Sequence, residues 1–216
     1  MHIKRLFLSV ATILLCGSAV LPAAELPSIP LPAPRMEGGK PLMQVLKDRK
    51  SVREFDSRQL PPQLLSDLLW AANGVNRPAT GHRTAPSAMN SQEIDIYVAS
   101  EKGLFLYDAP GNVLKPVLKE DLRAKTSDQP FAKDAPLALI FVADLPRLAK
   151  ARPEDREAYG TIDAGFVSQN VYLFCASEGL GTVVHELNKT PLAKAMNLRP
   201  EQKIIIAQSV GYPKQP

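Results

Sequence analysis

The chain has 216 residues, 45% of them hydrophobic, enough to bury one sizeable core in a single domain. Its formal charge of +4 and pI near 9.1 are mild, and the basic residues are scattered among acidic ones with few aromatics beside them, which excludes a nucleic-acid footprint. Of the two cysteines, Cys16 falls in a segment expected to be removed, so the mature chain has one thiol, Cys175, and no internal disulfide.

At the N-terminus, Lys4 and Arg5 form a positive n-region and Leu6 to Leu15 an apolar h-region. Small residues follow at Gly17, Ser18, Ala19, Ala23 and Ala24. The apolar run is too short for a comfortable membrane span. Residues 1–24 therefore read as an export signal with cleavage near Ala19 or Ala24, and the protein as exported and periplasmic; an uncleaved anchor is the alternative. Lipid attachment at Cys16 is disfavoured by the bulky Leu15 before it, and no Arg-Arg pair marks a folded-state export route. Residues 25–40 form a linker carrying Pro27, Pro30, Pro32 and Pro34. The expectation is extended polyproline II, without ladder pairing, acting as a spacer or as an arm over a neighbouring subunit. The folded domain is expected over 41–216.

Leu42, Val45 and Leu46 make one helical face, and after it comes a basic stretch, Arg49-Lys50-Ser51-Val52-Arg53-Glu54-Phe55. Two guanidinium forks bracket a compact hydroxyl at Ser51, a donor set that suits a phosphate ester. The other reading is an exposed basic run just past a helix, where cations favour the C-terminal dipole. Pro61-Pro62 opens a second helix through Leu64, Leu65, Leu68, Leu69 and Ala72, closed by Gly74. Trp70 on it is core or interface. A polar loop from Val75 to about Ala85 carries His82, which has no partner at ligand spacing and so no metal role.

The loop Pro86-Ser87-Ala88-Met89-Asn90-Ser91-Gln92 has a fixed backbone at its start and amide donors and acceptors at its end. Ile94, Ile96 and Val98 then alternate as a half-buried strand, and Glu101-Lys102-Gly103 turns into a second one, Leu104 to Tyr107. A short strand or turn at 109–114 and a modest helix near Leu118 to Lys125 follow. Leu137 to Ala143 is continuously apolar, the mark of a strand covered on both faces. Tyr159 to Gly179 is a long helix, apolar nearly all round, that belongs inside a fold or a subunit interface. Cys175 on it reads as a packed thiol. A strand at Gly181 to Val184, a short helix from Thr190 to Met196 and a last strand from Lys203 to Val210 complete the chain.

The basic stretch, the Pro86 to Gln92 loop, the Gln169-Asn170 helix running into Gly179-Leu180-Gly181, and the terminal Val210-Gly211-Tyr212-Pro213 together resemble the nitroreductase family of FMN-dependent oxidoreductases. The likeness spans about Lys40 to Pro213 and is nearest to the SagB-type dehydrogenases and small nitroreductases. It implies an α+β fold with a central mixed sheet of four or five strands flanked by helices, an intertwined homodimer, and FMN at the dimer interface. Arg49, Lys50 and Ser51 match the phosphate-binding positions, and Arg53 the basic residue near the flavin N1–O2 edge. Pro86, Ser87, Ala88 and Asn90 match the loop that reaches the flavin from the partner subunit. Glu186 and Leu187 fall where backbone amides face N5 and O4, and Gln129 where the pyrimidine edge is held.

The activity so implied is two-electron hydride transfer in a ping-pong cycle to a small-molecule acceptor. No catalytic side chain is needed, because the cofactor carries the chemistry. Tyr159 and Phe131 line the open face or belong to core and interface. The sequence departs from the family in two places: glycine is frequent where Leu187 stands, and only Lys214 represents the basic residues that in many relatives follow the last strand, which lowers the expected affinity for FMN. Export also leaves the electron donor open, since NAD(P)H is not normally present there. The alternatives are a flavin-binding or flavin-free structural dimer without turnover, and a SagB-type dehydrogenase or oxidase acting on an exported peptide or small molecule.

Overall fold

The computed structural model describes residues 26–215; the expected export signal, with Cys16, lies outside the described residues. In chain order the elements are β1 (Ile29–Pro30), α1 (Leu42–Asp48), β2 (Phe55–Asp56), α2 (Pro62–Asn73), β3 (Val75–Arg77), β4 (His82–Arg83), β5 (Ile94–Ser100), β6 (Gly103–Asp108), β7 (Val113–Leu118), α3 (Phe131–Asp134), β8 (Leu137–Asp144), α4 (Arg156–Glu178), β9 (Gly181–His185), α5 (Lys189–Ala195) and β10 (Gln202–Pro213). Eight strands join in one sheet ordered β1-β7-β6-β5-β8-β10-β2, with β9 also on β10. The α+β architecture is as expected. The sheet is larger than the four or five strands implied, and every described pairing in it is antiparallel rather than mixed.

Strand β8 shows why this sheet is a covered one. All eight of its residues are buried, and their period of two divides them between two cores. Leu137, Leu139, Phe141 and Ala143 face a cluster containing Leu68, Leu69, Ala164, Val167 and Val171, which come from α2 and α4. Ala138, Ile140 and Val142 face a second cluster with Leu122, Leu192 and Met196, closed by α5. Strand β5 behaves the same way: Ile94, Ile96 and Val98 join the first cluster, Tyr97 and Ala99 the second. The strand expected to be half-buried is therefore buried on both faces.

Two other expectations are corrected. The proline-rich segment forms a ladder after all: Ile29 and Pro30 pair with Leu114 and Val113 at the sheet edge, where a proline's missing N–H faces outward and costs nothing. Leu26, Ile29 and Leu31 pack on the first core, Ser66 Oγ donates to Pro32 O at 2.6 Å, and Arg35 meets Asp67 at 2.7 Å. This part of the segment is thus a strap over its own subunit. The helix expected near 118–125 is replaced by the end of β7 and a 3-10 turn at Arg123–Lys125. Local capture of Arg123 by Asp121, two residues earlier, favours that turn over a helix.

Candidate functional site

Helix α4 is the axis of the site. Gly160, Asp163, Ala164, Val167, Ser168, Val171 and Cys175 form its buried stripe, the three- and four-residue spacing of one helical face. At its C-terminal end Gly179 adopts φ 72°, the left-handed cap that lets the chain turn sharply into β9. Burial raises the Cys175 thiol far above its ordinary range, so it is a packed thiol and not a nucleophile.

The basic stretch is laid along the edge of β9 and the end of β10. Val52 N–H donates to Thr182 O at 2.9 Å, and Lys214 N–H to Glu54 O at 3.0 Å. Phe55 and Asp56 pair with Pro213 and Tyr212. Close approach is possible because residue 181 is glycine: a Cβ there would lie 2.9 Å from Val52 Cγ1. Through these contacts Arg49, Lys50, Ser51 and Arg53 are held along β9, while Lys214 lines a separate cleft with Asp56, Arg123 and Asp134. A cleft of about 160 Å³ opens there, lined by Lys50, Val52, Tyr172, Gly179, Thr182 and Pro213.

Tyr172 is the site residue that the sequence reading missed. Val184 N–H donates to its hydroxyl at 2.9 Å, and the same oxygen lies 3.1 Å from Ser51 Oγ. Having accepted from Val184, the phenol is free to donate to Ser51, which leaves the serine proton for an outside acceptor. The Arg49 guanidinium stands over the Tyr172 ring, 5.4 Å from its centroid. Only a polar aromatic on an otherwise apolar helix hinted at this, since buried phenols need a partner.

Charge completes the picture. Among the described residues, Arg49, Lys50, Arg53 and Lys214 form no ion pair. Arg53 in particular does not pair with its sequence neighbours Glu54 and Asp56. A cluster of free cations around a directed hydroxyl fits a phosphate ester, so the donor set fits the phosphate of FMN. No group of three or more His, Cys, Asp or Glu among the described residues is arranged to hold a metal.

The Pro86 to Gln92 loop lies elsewhere. Ala88 N–H donates to Asp163 Oδ2 at 2.7 Å, nine residues before Tyr172 on α4, or about 14 Å along the helix axis at 1.5 Å per residue. Within one chain the loop and the basic stretch therefore do not converge. Met89, Asn90 and Gln92 all have positive φ, between 51° and 54°, a conformation costing about 1 kcal/mol or more at a non-glycine residue. Gln92 N–H to Ser87 Oγ at 2.9 Å, Arg83 Nε to Gln92 Oε1 at 3.0 Å and the Asp163 contact hold it. Pro86 and Asn90 are exposed, Ser87 and Ala88 half-buried.

The remaining positions scatter. Gln129 is exposed ahead of α3, whose Phe131 packs edge-on against His185 with ring centroids 5.5 Å apart. Glu186 is exposed, and Leu187 turns inward onto the second core. His185, just before them, is buried with Nε2 3.0 Å from Ser209 Oγ, and burial lowers its pKa. Tyr159 is exposed on α4 in company with Ile162 and Phe166, while Leu42, Met43 and Leu46 are exposed on the neighbouring α1.

The sequence model of the nitroreductase family matches residues 46–212. A nitroreductase-like protein of Methanocaldococcus jannaschii is 35% identical over 152 residues, covering 66% of this chain and 76% of its own. A crystal structure of a nitroreductase-like protein from Ralstonia eutropha JMP134 superposes with a TM-score of 0.84 at 42% identity, over 91% of this chain and 96% of that one. The structure of an NAD(P)H:FMN oxidoreductase-like protein of Staphylococcus epidermidis superposes with a TM-score of 0.62 at 15% identity, covering 85% and 92%, and shares the fold.

Proposed function

The chain belongs to the nitroreductase family and is in general terms a flavin oxidoreductase; from that premise we propose that it is an exported, homodimeric FMN enzyme that passes electrons from a donor to a small-molecule acceptor. The observation that carries this reading is the Ser51 hydroxyl in contact with Tyr172, with Arg49 over the Tyr172 ring and Lys50 lining the same cleft. When bound, FMN supplies two-electron hydride chemistry, with donor and acceptor using one face in turn.

The chain's own residues bind and orient. Arg49, Lys50 and Ser51 hold the phosphate, and Lys214 stands in the neighbouring segment at the end of β10. Arg53 would lie toward the pyrimidine end, where its charge would favour the reduced, anionic flavin. Glu186 and Leu187 present backbone amides at the end of β9; an inward Leu187 side chain leaves its backbone free for that role. Pro86, Ser87, Ala88 and Asn90 serve the site of a second copy, which the separation along α4 favours. The exposed apolar residues of α1 and α4 are the face on which that copy packs.

The test is the visible absorption spectrum of the purified mature protein, followed by anaerobic addition of NADH, NADPH or a quinol. A flavin spectrum bleached by one of these donors is the expected result. A colourless protein that gains no spectrum on incubation with FMN rules the reading out.

A further inference from the structure

Where β5 begins, a carboxyl group sits in the interior with no role in the site described above. Glu93 is fully buried, and neither of its carboxyl oxygens receives a hydrogen bond from any described residue. An ionised carboxylate left so is strongly disfavoured. Its neighbour from α4 is Asp163, itself 3% exposed, close enough to raise the Glu93 pKa. Two ionised carboxylates cannot bond to one another. One proton between them removes the conflict: Glu93 donates, and Asp163 accepts from Glu93 and from Ala88 N–H together.

We propose that Glu93 and Asp163 hold one proton between them and that this proton positions the 86–92 loop. Glu93 is then a positioning residue, acting through Asp163 on Ala88. The link is short. Asp163 is the anchor of a loop that carries positive φ at three non-glycine residues, so the loop relies on its few bonds to keep its shape. With the proton lost, two negative charges share a buried site, one carboxylate is driven out, and the Ala88 anchor loosens.

The surroundings agree with a single shared proton. Burial, and then Asp163, raise the Glu93 pKa from 4.5 to about 7. Among the described residues the cation acting on Glu93 is Arg147 from the turn after β8, and it is already committed. It meets Asp95 at 2.8 Å, Asp144 at 3.2 Å and Gln92 O at 3.0 Å. Arg83 of β4 is bonded to Gln92 and to Asn73 O, and α2 offers only the neutral Asn73, which donates to Ile94 O.

That the loop contributes to a flavin site rests on the proposed function, so the test has one readout without flavin. The purified protein and its Glu93→Gln variant are titrated from about pH 5 to about pH 9, on both sides of the raised value. The Ala88 amide proton is followed by NMR, and the FMN dissociation constant is measured at each pH. In the wild type the Ala88 resonance titrates and FMN binding weakens about tenfold toward high pH, the loss of one good hydrogen bond. In Glu93→Gln, whose amide donates at every pH, both are flat. An Ala88 titration unchanged in Glu93→Gln overturns the proposal. An Ala88 titration confined to the wild type with pH-independent FMN binding overturns the loop's place at the flavin while keeping the shared proton. Should Glu93→Gln not fold, Asp163→Asn serves: its amide donates to an ionised Glu93, so the Ala88 titration moves to lower pH, and one left in place overturns the proposal.

Discussion

The hydroxyl of Tyr172 lies 3.1 Å from Ser51 Oγ while accepting the Val184 N–H at 2.9 Å. One atom thus joins helix α4, the edge strand β9 and the basic stretch, and it sets the direction of the serine proton. Tyr172→Phe keeps the ring under Arg49 but removes that atom. FMN should bind about three- to tenfold more weakly, and stability should fall by about 1 kcal/mol from the unpaired Val184 N–H. Fluorescence titration and urea unfolding check the two effects. An unchanged affinity would show that Ser51 is oriented by something else.

Arg49→Ala should weaken FMN by roughly ten- to a hundredfold, since a charge-assisted contact is worth about 1.5–3 kcal/mol. Riboflavin, which lacks the phosphate, should bind the variant and the wild type alike. Equal losses for both ligands would place Arg49 away from the phosphate.

Stability should depend on pH with two opposed slopes. His185 is buried and its folded pKa is lowered by desolvation. Its stabilising contribution is therefore present above the unfolded value of 6.5 and lost as pH falls below it. Glu93 has a folded pKa raised by desolvation. Its contribution is present below 4.5 and lost as pH rises to about 7. Urea midpoints measured across this range should show Glu93→Gln flattening the decline with rising pH, and His185→Asn flattening the decline with falling pH. If His185→Asn retains the full acid slope, the imidazole is not the group that titrates.

Arg53 is exposed and, among the described residues, forms no ion pair, so Arg53→Met removes a charge without removing a fold contact. The flavin midpoint potential should drop by about 30–60 mV, the two-electron equivalent of losing a contact to a charged group. Binding of oxidised FMN should change much less. Spectroelectrochemical titration of both proteins gives the answer, and an unmoved potential removes Arg53 from the flavin.

Much of this was legible in the sequence, and the illegible part has a common cause. Phosphate donors grouped as Arg49, Lys50 and Ser51 can be read locally, because the chemistry and the spacing lie in one stretch. The β8 run can be read because burial on both faces leaves no polar residue in it. Tyr172 could not be assigned, since its role exists only where α4 meets β9. Glu93 and Asp163 are likewise joined by tertiary contact alone. The strap was misread because a proline lacks a donor yet keeps a carbonyl, and an edge strand needs only one side. Whether Glu186, Leu187 and Gln129 converge on a ligand was not legible either: in one chain Glu186 and Gln129 face solvent and Leu187 the core.

The apolar face of α4 decides the assembly. Ile162 is 53% exposed and Phe166 44%, with Tyr159 one turn before them. They repeat at helical spacing on the side opposite the buried stripe, and Leu42, Met43 and Leu46 of α1 are exposed as well. Single exposed apolar residues are ordinary, but three along one face of a helix are the kind of surface that the proposed second copy would cover. The proposed second copy would also supply what one chain lacks, because the 86–92 loop and the basic stretch sit about 14 Å apart along α4. Sedimentation at micromolar concentration should therefore find a dimer. Phe166→Glu places a charge in the middle of that patch and should yield a folded monomer that has lost FMN as well. Its circular dichroism should stay that of the wild type, since Phe166 contributes little to the core. A wild-type protein that sediments as a stable monomer would remove both the interface and the role given to Asn90 across it.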